Sequence, residues 1–130
     1  MNEKLVHPEL SYLITGVCFE VHNQLGRFCR EKQYGDVLEE KFLLLKIDYK
    51  REYTVGVTGN RIDFLIEDKI ILEIKAKPLL LREDYYQTQR YLQVLNKKLG
   101  LIINFRNKYI RPKRVIRIDT DMRSKFASLV

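Results

Sequence analysis

The sequence predicts an α/β domain, a mixed β-sheet flanked by helices in the order α-α-β-β-β-α-β-β. Three observations predict it. Two early segments repeat apolar residues at helical spacing. Three short runs rich in Tyr, Ile, Val and Phe follow them, separated by turn residues. A last helical segment then leads to Leu99–Phe105, a nearly unbroken apolar run of the kind a strand buried on both faces requires. With 130 residues and no repeat, low-complexity tract or Pro/Gly/Ser linker, residues 1–130 read as one domain. A chain of this length buries enough surface to fold without a disulfide or structural metal.

The first helix is expected over Glu9–Leu25, where Leu10, Leu13, Ile14, Val17, Cys18 and Val21 form one stripe. Pro8 suits its first turn and Gly26 its end. A second helix, Arg30–Lys46, puts Tyr34, Val37, Leu38, Phe42 and Leu45 on one face and Glu39, Glu40 and Lys41 on the other. Strands follow at Tyr49–Val57, Arg61–Ile66 and Ile70–Ala76, the first ending at the turn Thr58-Gly59-Asn60 and the last stopped by Pro78. The third helix spans Glu83–Leu95. Leu99–Phe105 and Arg114–Ile118 close the sheet, and Thr120–Val130 adds a short helix.

Composition excludes several classes. At 45% hydrophobic and 32% charged residues the chain is neither disordered nor membrane-spanning, and no apolar run reaches the ~18–20 residues of a spanning helix. The N-terminus lacks signal-peptide features, and the two cysteines, Cys18 and Cys29, lack metal spacing, so a reduced cytoplasmic protein is expected. No phosphate loop of the G-x-x-x-x-G-K-[ST] type is present. The net charge of +7 is unevenly spread: Tyr85–Ile118 holds nine basic residues and no acid, leaving −2 for the remainder. Such segregation favours a polyanion partner, nucleic acid above all, over a basic face kept for solubility or for an acidic protein.

The chemistry gathers in two consecutive strands. Asp63 and Glu73 interrupt strongly apolar runs, which is costly unless their charges have a partner or a use. Glu73 and Lys75 share a strand face. A two-residue hairpin loop would put Asp63 on the opposite face, whereas a three-residue loop, Glu67–Lys69, sets it across from Glu73. The longer loop also gathers Ile62, Phe64, Ile66, Ile70, Leu72 and Ile74 on the other face, so the hydrophobic pattern selects it. The two carboxylates then stand side by side and need a cation or a proton between them. A hard divalent ion, Mg²⁺ or Mn²⁺, meets that need, with Lys75 placed to orient water or to stabilise developing charge. A buried ion-pair cluster without catalysis is the alternative. Lys77, two residues on, lies on the same face and could grip phosphate.

Asp63 followed by Glu73-Ile74-Lys75 resembles the motif of the PD-(D/E)xK nuclease superfamily, whose restriction-endonuclease-like core matches the element order from Arg30 onward. The run Phe19-Glu20-Val21-His22-Asn23-Gln24-Leu25-Gly26, with Glu31-Lys32-Gln33-Tyr34, resembles the N-terminal signature of its GxxExxY branch. Tyr86-Gln87 through Tyr91-Leu92, and Gly100-Leu101-Ile102-Ile103-Asn104-Phe105, are similar to the later motifs, so the likeness covers about residues 5–118. It implies a metal-dependent nuclease acting on DNA ahead of RNA, with Asp63 and Glu73 as metal ligands and Lys75 as catalytic lysine. Glu31 would match the helical glutamate some members add to the metal site, and Gln87 a glutamine approaching it. Each also has a plain alternative, an acid at a helix start and a polar residue on a helix. The expected nucleic-acid contacts are Lys77, Arg90, Lys98, Arg106, Lys108, Arg111, Lys113 and Arg114. Nucleases of this fold commonly dimerise, so the resemblance admits a homodimer. Phe28 and Gly35 depart from the branch signature, and Asp84 replaces a common histidine. The rival class is an inactive nucleic-acid-binding or protein-interaction module on the same fold.

Overall fold

In a computed structural model, which describes residues 6–119, the element order is the expected one. Helix α1 runs Pro8–Leu25, with the proline in its first turn and Gly26 at its end. At φ 79° Gly26 takes a conformation few side chains allow, and its N–H closes on His22 O at 2.8 Å. Helix α2 is Glu31–Leu44; the Gln33 side chain accepts the Arg30 N–H at 2.8 Å, one half of a capping box. Strands β1 (Tyr49–Val55), β2 (Asn60–Ile66) and β3 (Ile70–Lys75) come next. Helix α3 (Arg82–Leu95) and strands β4 (Leu99–Asn104) and β5 (Lys113–Ile116) complete the fold. Boundaries differ from expectation by one or two residues at most ends. The helix expected over Thr120–Val130 lies outside the described residues.

The five strands form one sheet in the order β1-β2-β3-β4-β5. All neighbours are antiparallel except β3 and β4, which run parallel and are joined across the sheet by α3. Helices α1 and α2 cover one face through Ile14, Val17, Val21, Tyr34, Leu38 and Phe42. Helix α3 covers the other through Tyr91 and Leu92. Strand β4 is buried along its whole length, as its composition requires. Leu13 and Leu45, expected on the buried stripes, are exposed. For Leu45 the reason is that α2 ends at Leu44, one residue before it.

The β2–β3 turn has the three-residue loop. Ile66 pairs with Ile70 and Phe64 with Leu72, so Asp63 stands opposite Glu73. One consequence expected of this register is corrected. Phe64, Ile66, Ile70, Leu72 and Ile74 share the α1/α2 side, but Ile62 packs on the α3 side with Leu65 and Ile71. The β1–β2 ribbon rolls over between Arg51 and Tyr53. Glu52 has a left-handed φ of 52°, and neither it nor Asp63 opposite takes part in the ladder, which resumes at Tyr53–Ile62. Tyr49 accordingly packs on the α1/α2 side, and Tyr53 and Val55 on the α3 side.

Candidate active site

Strands β2 and β3 part company beyond Phe64–Leu72, and two side chains occupy the gap. The Asp63 N–H donates to Glu73 Oε2 at 2.8 Å, and the Ile74 N–H donates to Asp63 Oδ2 at 2.6 Å. Each carboxylate thus takes the place of a ladder carbonyl on the opposite strand, which satisfies two backbone donors that the splay would strand. Among the described residues no donor reaches Asp63 Oδ1 or Glu73 Oε1.

Burial dominates the electrostatics. It pushes the Glu73 pKa up, with the Asp63 charge adding, to about 8; the Asp63 N–H and Lys75 act against it. Asp63 is raised as well, by burial first and by Glu31 next, against the Ile74 N–H and Lys75. Two acids this reluctant to ionise, each with an oxygen to spare, form a site that a cation would relieve.

Glu31, the first residue of α2, is exposed and lines the cavity of about 550 Å³ that opens where the strands part. Asp63, Arg51, Arg61 and Tyr91 line it too. Among the described residues no three His, Cys, Asp or Glu side chains gather as a ready metal cage. The donor set is therefore two hard carboxylates with Glu31 across the cavity. That fits a Mg²⁺-type ion, which binds through one or two carboxylates and leaves its remaining positions to water or phosphate oxygens.

Lys75 and Lys77 both turn to Asp84, on the first turn of α3. Lys75 Nζ lies 3.8 Å from Asp84 Oδ1, and Lys77 Nζ lies 2.5 Å from Oδ2. Asp84 Oδ2 also accepts the Leu81 N–H at 2.7 Å and so caps α3. Burial opposes ionisation of this carboxylate, but the Leu81 N–H and the two lysines outweigh it and hold its pKa below the usual range. Gln87 is half-buried on α3, one turn from both Asp84 and Tyr91. Buried Asn104, at the end of β4, clamps the chain after Lys75. Its Nδ2 donates to Lys77 O at 2.8 Å, and its Oδ1 accepts the Lys77 N–H at 3.2 Å.

The basic segment does not form one groove. Strand β4 carries its residues to both ends of the sheet, and ~13 Å of strand separates Lys98 from Ile102, the neighbour of Glu73. Lys98, Arg114 and Lys69 instead surround His7 at the other end, all three acting to lower its pKa after burial has done so. Arg114 donates to Ser11 Oγ and Val6 O, both at 2.9 Å, and fastens the start of α1 to β5. Arg106 and Lys108 follow β4 on the carboxylate side, and Arg90 sits half-buried beside Tyr91. Arg111 is exposed, and Lys113 lines a separate cavity with Tyr86 and Asp84.

Sequence reasoning passed over Arg51 and Arg61, which line the cavity together with Lys32, because they lie outside the basic segment. It also noted Asp84 only as a departure. Its signal was position: an acid three residues into a helix caps that helix, and here it faces a strand carrying two lysines. His22, whose Nε2 lies 2.9 Å from Asn107 O, ties α1 to the β4–β5 loop.

A family model described as PD-(D/E)XK nuclease superfamily matches residues 8–118. Comparison with curated proteins and with solved structures found no match.

Proposed function

The chain belongs to the PD-(D/E)XK nuclease superfamily, and from that membership we propose a divalent-metal-dependent hydrolase of nucleic-acid phosphodiester bonds, acting on DNA ahead of RNA. We assign residues 1–130 to a single nuclease domain of the GxxExxY branch. One observation carries the proposal: Asp63 and Glu73 cross-brace the parted strands, with Lys75 on the face of Glu73 and, among the described residues, no donor on their second oxygens.

Asp63 and Glu73 would hold the ion, Mg²⁺ or Mn²⁺, and Glu31 lines the same cavity as Asp63. When bound, such an ion supplies a Lewis acid for the phosphoryl oxygen and makes water a stronger nucleophile. Lys75 holds the attacking water and the charge that develops as it adds to phosphorus. A new P–O bond forms to water, the ester P–O bond breaks, and the leaving oxygen takes up a proton. Asp84 keeps Lys75 in place by fixing its ammonium group from the α3 side. Gln87 is assigned a supporting contact with substrate. Lys77 and Arg106, at the ends of β3 and β4, are the cations of the expected set best placed to meet phosphate near the site.

Single- and double-stranded DNA and RNA incubated with the protein and Mg²⁺ or Mn²⁺ test this. Metal-dependent cleavage lost in Asp63→Ala and Lys75→Ala is the expected result. Binding without cleavage, unchanged in both variants, would overturn it in favour of a non-catalytic binding module.

A further inference from the structure

Two of the most exposed aromatic rings in the described residues stand on loops bonded to each other, each with cations close to it. Phe28, between α1 and α2, and Tyr109, between β4 and β5, are each 75% exposed. The guanidinium carbons of Arg27 and Arg106 lie 4.9 and 5.6 Å from the centre of the Phe28 ring, and Lys108 Nζ lies 5.5 Å from that of Tyr109. A cavity of about 400 Å³ joins the two loops, with Phe19, His22, Arg27, Lys108 and Tyr109 in its wall and no acid.

The loops are fixed to each other. Arg27 Nε donates to Arg106 O at 2.8 Å, and His22 bonds to Asn107 O. The platform is also continuous with the catalytic strand. Arg106 Nη2 reaches Ala76 O at 3.4 Å, and Ala76 lies between Lys75 and Lys77.

We propose that this surface binds an unpaired nucleic-acid strand, its bases stacking on Phe28 and Tyr109 and its phosphates meeting Arg27, Arg106 and Lys108. The strand would run past Ala76 toward the paired carboxylates. That last step rests on the nuclease assignment; the binding does not. Cations alone would serve a duplex equally well. Exposed rings favour the single strand, because only unstacked bases offer their flat faces to an aromatic side chain. The absence of acids from the cavity wall matches a ligand with a charge on every residue.

Fluorescence anisotropy in EDTA, where no turnover occurs, tests this with labelled oligo(dT), oligo(U) and a short DNA duplex. At ~1–3 kcal/mol per stacked base, the double variant Phe28→Ala/Tyr109→Ala should bind single strand about 30-fold or more weakly. Its duplex affinity should change less than about 3-fold. Phe28→Tyr/Tyr109→Phe keeps both rings and should retain single-strand binding. Preference between oligo(dT) and oligo(U) identifies DNA or RNA as the source of the strand. Undiminished single-strand binding in the alanine variant, or equal losses for single strand and duplex, overturns the proposal. If ring-dependent binding holds but no metal supports cleavage, the nuclease assignment falls and this surface stands. Cleavage with ring-independent binding gives the reverse.

Discussion

Changing Glu73 to glutamine removes a charge that the fold resists while keeping an acceptor for the Asp63 N–H. An ordinary glutamate loses its proton near 4.5; inside the fold, burial and then Asp63 push that event up to about 8. Between those values the unfolded chain has released a proton that the folded chain keeps. Folding therefore weakens as pH rises, by up to ~1.4 kcal/mol per pH unit from this group. Between about pH 5.5 and 7.5 the metal-free wild type should lose ~2–3 kcal/mol through Glu73. At a urea slope of ~1.5 kcal/mol per M, its unfolding midpoint falls by ~1.5–2 M relative to Glu73→Gln over the same range. His7, whose burial-lowered pKa weakens folding on the acid side, contributes equally to both proteins and cancels. Urea titrations in EDTA at the two pH values make the comparison. Midpoints that stay parallel would mean Glu73 is already ionised in the folded protein, and the burial argument would fail.

The same shift predicts that Mg²⁺ or Mn²⁺ binding releases close to one proton near neutral pH, since the ion requires the carboxylate; calorimetry in buffers of different ionisation enthalpy measures it, and zero release contradicts the assignment. Asp84→Asn leaves an acceptor for the α3 cap but removes the negative charge that holds Lys75 and Lys77. Cleavage should then slow while the thermal midpoint stays close to that of the wild type; a loss of activity that only follows a loss of stability would make Asp84 purely structural. Gly100→Ala places a methyl group 2.7 Å from Thr88 Cγ2 in the α3–β4 contact. It should cost ~1–3 kcal/mol, and adding Thr88→Ser, which removes that carbon and keeps the hydroxyl, should restore most of the loss in thermal melts.

The sequence carried the site further than it carried the surface around it. The hydrophobic alternation in β2 and β3 selected the three-residue loop and set Asp63 against Glu73, because a slip by one residue would have turned every apolar side chain outward. Alternation assumes a flat ribbon, however, and Ile62 broke the pattern. One left-handed residue, Glu52, rolls the β1–β2 hairpin, and nothing in its residue type announces that conformation. The basic segment misled for a related reason. Charge along a sequence says nothing about which end of a strand a side chain occupies, and β4 delivers Lys98 and Arg106 to opposite ends. Asp84 was legible as a cap but not as a partner for two lysines, since that depends on how α3 crosses the sheet.

The tether from Arg114 to Val6 and Ser11 has a consequence for how this fold can be carried. It brings the chain's entry into α1 beside β5, while the Arg117 N–H donates to Lys98 O at 3.0 Å and holds the exit strand at the same end. Both points lie at the end of the sheet marked by the β2–β3 turn, away from the parted strands. The fold is a plug-in cartridge: the described chain enters and leaves at the back, and the cleft faces the other way.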